Sequence, residues 1–154
     1  MIVLKTNREL ALMREACIIS AGALKLAGEA VEPGVTTAEI DKIAYDYIIK
    51  CGAKPNFLNY NGYPATACIS INDEVIHGIP SKKRVIEEGD IVSIDLGAVL
   101  EGFNGDNAAT FAAGAISSEA KRLCDTTKES LFLGIEKAVA GGRIGDIGYA
   151  VQHH

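Results

Sequence analysis

The 154-residue sequence has no tryptophan, only three histidines and nothing close to the run of roughly 20 apolar residues that crosses a bilayer. The short apolar start, Met1 to Leu4, gives way to charge too soon to be the core of a secretory signal. A cytoplasmic chain without a membrane partner is expected. Basic clusters are scarce as well. Against 20 acidic residues stand 15 basic ones, and Lys82-Lys83-Arg84 is the one tight basic run, which reads as a solvated loop. That balance excludes the dense positive surface needed to bind a phosphate backbone, so no direct nucleic-acid partner is expected. The four cysteines, Cys17, Cys51, Cys68 and Cys124, form no C-x-x-C pair, which excludes a zinc knuckle and a thioredoxin-like motif. Cys17 and Cys124, among apolar helical neighbours, read as small buried hydrophobes, and reduced thiols are the default.

What the chain has is enough apolar content, 48 % of its residues, for one domain with its own core over residues 1–154. Its most informative stretch runs from Asp90 to Phe111. Residues 90–99 and 102–111 both read as strands, and Leu100-Glu101 between them reads as a two-residue hairpin turn. Counting outward from that turn pairs Val99 with Gly102 and brings Asp95 directly opposite Asp106. Like charges facing each other across two strands repel, so a fold that keeps both needs a cation between them. Asp95 is also embedded in the apolar run Ile91-Val92-Ser93-Ile94-Asp95-Leu96, where an unpaired carboxylate carries a heavy desolvation cost. The plainer alternative is that Gly105-Asp106 belongs to a loop, or that a one-residue slip sends the two carboxylates to opposite faces.

Upstream, the spacing of Leu10, Met13, Ala16, Cys17, Ser20, Ala21, Leu24, Ala27, Gly28 and Val31 predicts an amphipathic helix from Asn7, capped by Thr6 or Asn7 and ended by Glu32-Pro33-Gly34. A second begins at Thr37, buries Ile40, Ile43, Ala44, Tyr47 and Ile48, and stops at Gly52. Residues 54–66 have the Pro, Asn and Gly content of a loop and carry Phe57, Tyr60 and Tyr63, aromatics that either staple the loop to the core or line a pocket. Ala67–Ile71 reads as a strand, Asn72-Asp73-Glu74 as a turn and Val75–Pro80 as a short second strand that carries His77, the one histidine outside the last two residues. Residues 116–140 return to helix behind a Ser117-Ser118-Glu119 cap, with Leu123, Thr127, Ser130, Leu131, Gly134, Ile135, Ala138 and Val139 as the inner stripe. A further helix runs to the end of the chain and takes in His153 and His154.

The pattern Ala23-Leu24, Ala27, Ala30-Val31, Gly34 returns 108 residues later as Leu131-Phe132, Ile135, Ala138-Val139, Gly142. This echo points to a second copy of helix, turn, helix that starts near residue 120. The first copy leads into the His77 segment and the aspartate hairpin. Nothing comparable follows the second, so the expectation is one half of a two-part fold plus the first helices of the other.

Three motifs, Cys68-Ile-Ser-Ile-Asn-Asp-Glu-Val-Ile-His77-Gly-Ile-Pro80, Glu88-Gly-Asp-Ile-Val-Ser-Ile-Asp95-Leu-Gly97 and Gly102-Phe-Asn-Gly-Asp106 with Thr110-Phe111, resemble the type I methionine aminopeptidases over residues 5 to 152. The resemblance implies an α+β pita-bread (creatinase/aminopeptidase-like) fold, two pseudo-symmetric halves around a site for two divalent ions, Co, Mn, Fe or Zn. It implies metal binding by Asp95 and by Asp106 as the bridging carboxylate. His77 matches the catalytic histidine that contacts the scissile amide of the substrate. Phe57, Tyr60, Tyr63 and Cys68 match the pocket for a methionine side chain, apolar walls suited to a flexible thioether. The implied activity is removal of the initiator methionine from nascent chains whose second residue is small.

The family's other ligands, a histidine in a Gly-His-Gly context and two glutamates, have no counterpart in these residues, and His153-His154 is not in that context. The expectation is a truncated aminopeptidase, with partial metal occupancy and little or no activity alone. The alternative is a non-catalytic half-domain used for binding or assembly. Such a module would be expected to shed opposed carboxylates, whereas Asp95, Asp106 and His77 are all kept. Apolar faces left uncovered, including Ile147, Ala150 and Val151, are expected to favour self-association.

Overall fold

Two threonines set the first two helices. Thr6 caps α1 (Asn7–Glu29) and Thr36 caps α2 (Thr37–Lys50). Each hydroxyl accepts from the backbone N–H of a glutamate three residues on, Glu9 or Glu39, whose carboxylate reaches back to the cap's own N–H. These reciprocal bonds satisfy donors that a helix start otherwise leaves free. The computed structural model describes residues 3–154 and divides into two compact units, Met1–Ala115 and Ile116–His154. Met1 and Ile2, the beginning of the short apolar N-terminus, lie outside the described residues. Among the described residues, no helix is long and apolar enough to cross a membrane.

In the first unit, four strands form one antiparallel sheet: β1 (Lys54–Pro55), β2 (Ala67–Ile71), β3 (Ile91–Leu100) and β4 (Phe103–Ala112). β4 pairs with β3 along its whole length, so β2, on residues 92–96, and β1, on residues 98–99, lie end to end along the other side of β3. Strand side chains alternate between faces. Val92, Ile94, Leu96 and Ala98 of β3 point into the core with Ile69 and Ile71 of β2, where Ile19, Ala23, Leu24 and Ala27 of α1 and Ile40, Ala44 and Ile48 of α2 cover them. Ser93, Asp95, Gly97 and Val99 therefore face the opposite side.

The hairpin forms with a different register from the one expected. Glu101 and Gly102 have φ of 49° and 85°, so they, and not Leu100 and Glu101, are the two turn residues. A two-residue turn with both central residues at positive φ is one of those that match the strand twist, and Gly102 takes up such a φ without strain. Moving the turn by one residue moves the pairing by two. Asp95 consequently pairs with Ala108, and Asp106 with Gly97. The two carboxylates are diagonal rather than opposite, and they keep the same face.

The strand expected over Val75–Pro80 does not form. His77 sits at φ 61°, a left-handed conformation that breaks an extended run, and Val75 and Ile76 are exposed. Gly78 crosses β2 instead: its carbonyl accepts from Ile69 N–H at 2.8 Å and its N–H donates to Ser70 Oγ at 3.1 Å. The loop of residues 54–66 holds two short elements not expected, β1 and a 3-10 turn over Tyr60–Gly62. Cys17, expected inside, is exposed, because the buried side of α1 runs through Ala16, Ile19 and Ser20.

The second unit is a helix pair. α3 (Ser118–Glu136) starts where Ser117 Oγ accepts from Ala120 N–H at 3.1 Å, and α4 (Ile144–Gln152) follows a turn with Gly141 at φ 87°. The two helices approach at Gly134, where a Cβ would lie 2.9 Å from Val151 Cγ2. Of the expected inner stripe, Gly134 alone is fully buried, while Leu123, Leu131 and Ile135 are exposed and Ala138 and Val139 lie beyond the helix end. Cys124 is half-buried, and α4 stops at Gln152, so His153 caps it and His154 lies beyond it.

Candidate metal centre

β3 and the hairpin turn decide what stands on the face away from the helices. Asp95 and Asp106 occupy diagonal positions there. Cys68 of β2 pairs with Asp95 on the other side of β3. The same face carries a hydroxyl pair, Ser93 Oγ and Thr110 Oγ1 at 2.8 Å, one step along the hairpin. His77, on the loop that crosses β2, lies close enough for its charge to act on Asp95.

The electrostatics follow from that grouping. Burial, then the charge of Asp106, then a hydrogen bond with the Asp106 carboxyl hold the Asp95 carboxyl above the usual carboxylate range, and His77 acts in the opposite sense. Two carboxylates that share a site resist double ionisation unless positive charge joins them. The Cys68 thiol is pushed up by burial and by the charges of Asp95, Asp106 and Asp41, against a lowering hydrogen bond from Tyr63. This thiol is therefore a neutral, buried wall and not a ready nucleophile.

Tyr63 closes one side of the site. Its hydroxyl is shared between two acceptors, the carbonyls of Ala67 at 3.0 Å and Gly78 at 3.2 Å, so it ties the aromatic loop both to β2 and to the residue after His77. Burial, Cys68 and the charges of Asp41 and Asp95 raise its phenol well above the ordinary value. The fold thus brings together Tyr63, Cys68, His77, Asp95 and Asp106. Phe57 is half-buried and Tyr60 is 68 % exposed, and among the described residues no side-chain hydrogen bond ties either to that group. Both stand on the loop that leads into it.

Asp41 had no signal in the sequence beyond its place near the buried side of α2. One of its carboxylate oxygens accepts from the backbone N–H groups of Thr66 and Ala67 at 2.9 and 2.8 Å, which fixes where β2 begins. Burial raises its carboxyl above the usual range, and these two hydrogen bonds oppose the rise. The terminal histidines are engaged within the second unit. His153 stacks on Tyr149 with ring centroids 3.8 Å apart, and His154 Nε2 lies 3.2 Å from Glu129 Oε2.

The model of metallopeptidase family M24 matches residues 11–154. The chain belongs to that family. It is 52 % identical over 154 residues to a methionine aminopeptidase of Clostridium acetobutylicum, covering all of this chain and 62 % of the relative. A methionine aminopeptidase structure from Rickettsia prowazekii superposes with a TM-score of 0.96 at 37 % identity, covering 99 % of this chain and 61 % of the other. A prolidase from Pyrococcus furiosus does so with a TM-score of 0.86 at 26 % identity, over 98 % of this chain and 43 % of the prolidase. The fold is thus the pita-bread fold of the M24 aminopeptidases and prolidases, and the chain spans about three-fifths of the length of its aminopeptidase relatives.

M24 membership implies divalent metal. Oxygen donors from Asp95 and Asp106 on one face, with the Asp95 proton affinity raised by burial and then by the charge of Asp106, fit such ions. The fit is partial, because no grouping of three or more His, Cys, Asp or Glu able to hold a metal ion occurs among the described residues.

Proposed function

We propose that the chain is part of a metal-dependent methionine aminopeptidase, which removes the N-terminal methionine from nascent chains whose second residue is small. The observation that carries this reading is the diagonal Asp95–Asp106 pair on the open face of the hairpin, with His77, Cys68 and Tyr63 beside it. Asp95 and Asp106 would hold the ions, Co, Mn, Fe or Zn. Divalent ions in such a place supply a nucleophile from water at neutral pH and polarise a scissile carbonyl. His77, beside the Gly78 crossing over β2, would donate a hydrogen bond to the scissile amide. Tyr63 and Cys68, with Phe57 and Tyr60 on the approaching loop, offer an apolar wall for a thioether. The similarity to named methionine aminopeptidases supports this substrate over a prolyl dipeptide.

Two carboxylates make up only part of a dinuclear ligand set, so the 154-residue chain should bind metal weakly and have little or no activity alone. Titration with Mn²⁺, followed by the loss of the free-ion spin-resonance signal, tests the site. Asp106→Asn should weaken binding about tenfold or more, whereas equal affinity in both proteins would favour the non-catalytic half-domain. Release of methionine from a Met-Ala-Ser peptide should stay near background with Mn²⁺ or Co²⁺. Strong release abolished by Asp106→Asn would show that the ligand set is completed from other groups.

A further inference from the structure

We propose that Ser20 and Asn107 form a positioning device that holds the Asp106 carboxylate in place from the opposite side of the sheet; the inference rests on the metal-site reading given above. Asp106 stands on β4, a strand paired along one side only among the described residues, and Asn104, Ala108, Ala109 and Thr110 around it are exposed. Among the described residues, no backbone N–H, and no side chain other than the Asp95 carboxyl, is hydrogen-bonded to the Asp106 carboxylate. Its one side-chain partner is Asp95, which repels it when both are ionised. The place of this carboxylate is therefore set by its backbone, and the backbone is held by the residues on either side.

Alternation along the strand turns both neighbours of Asp106 towards α1. Gly105 is buried against the helix backbone, where a Cβ would lie 2.3 Å from the Ala16 carbonyl oxygen and 2.5 Å from Cys17 N. Asn107 donates from its amide to Ser20 Oγ, with the Cys17 carbonyl 3.5 Å from the same nitrogen, and the Ser20 hydroxyl donates in turn to the Cys17 carbonyl at 3.1 Å. Ser20 is fully buried, a polar residue on the apolar side of α1. A hydroxyl there is stable only while its hydrogen bonds are made, and Asn107 makes one of them. Gly105 sets how closely β4 approaches the helix, and the Ser20–Asn107 bond fixes where along the helix it sits. Asp106 lies between these two fixed points.

A purely structural bond would affect stability alone, whereas a positioning bond also affects metal affinity in the folded protein. Mn²⁺ affinity is measured on the 154-residue chain, below its unfolding transition, for the parent, Asp106→Asn, Ser20→Ala, Asn107→Ala, the Ser20→Ala/Asn107→Ala double variant, and Ile48→Val, a core trim on α2 that leaves the anchor intact. Ser20→Ala and Asn107→Ala should each weaken binding roughly threefold to tenfold, the net size of one hydrogen bond. The double variant should lose no more than the larger single effect, and Ile48→Val should bind as the parent does. Ser20→Ala removes one oxygen and little volume, so it decides the matter should Asn107→Ala not fold. Loss of affinity in Asp106→Asn but not in Ser20→Ala overturns the positioning role and leaves the metal site standing. No change in Asp106→Asn overturns both.

Discussion

Asp41 shows how much one carboxylate does without touching the proposed chemistry. It accepts two backbone N–H groups at the start of β2, and Ala would leave both donors partly buried and unpaired. Asp41→Ala should cost about 2 kcal/mol, the usual range for orphaned donors being about 1–3. Asn keeps an acceptor oxygen and should cost less; equilibrium urea unfolding distinguishes the two. The pH dependence has a defined sign. Because burial raises the folded-state pKa of Asp41, its stabilisation is fully present below the ordinary carboxylate value. It is lost as pH rises through the folded value. The parent minus the Asp41→Asn variant should therefore show stability falling with pH above the ordinary carboxylate range, and a rising difference would contradict the assignment. At this scale the sequence was uneven. Asp95 drew notice from its apolar strand run, Cys68 from the family motif and Ser20 from its place on the buried stripe of the first helix, whereas Asp41 carries no local signal, since a polar residue on a helix reveals its partner only once another element docks.

Elements were more legible than their joints. The helix starts at Thr6, Thr36 and Ser117 follow from short-range rules, and Ala67–Ile71 forms the strand its β-branched and small residues predict. The Val75–Pro80 strand failed because left-handed His77, with Gly78 and Pro80 beside it, outweighs the extended preference of Val75, Ile76 and Ile79. Two glycines between elements should respond differently to an added methyl group. At Gly105 a Cβ would meet the Ala16–Cys17 backbone, which cannot swing aside. At Gly28 it would meet the Phe111 ring, the mobile end of a half-buried side chain. Gly105→Ala should lower stability by about 3 kcal/mol or prevent folding, and Gly28→Ala by about 1–2. Thermal unfolding of the two variants checks the order, and the reverse order would mean that the Ala16–Cys17 backbone gives way more easily than the Phe111 ring.

Over the whole molecule, the family and the fold were legible because three motifs keep their order and spacing, while the covering of the apolar faces was not. The second unit exposes Leu123, Leu131, Phe132, Ile135, Val139 and Val151, and the loop around His77 exposes Val75, Ile76 and Ile79. Exposed apolar area on this scale favours association. Sedimentation of the 154-residue chain should show dimers or larger species whose share grows with concentration, and a monomer at all concentrations would refute this. The hairpin register bears on how the gene can change. An even number of residues separates Asp95 from Asp106, so sliding the existing strands until the turn holds an odd number of residues would send one carboxylate to the helices, whereas residues added within the turn leave the pairing of Leu100 with Phe103, and both carboxylates, where they are. Insertions of one codon and of two between Glu101 and Gly102 should thus both keep Mn²⁺ affinity, whereas deletion of Gly102, which leaves Glu101 alone between the paired residues, should force a new register and lower it. Length at this tip is free to grow but not to shrink.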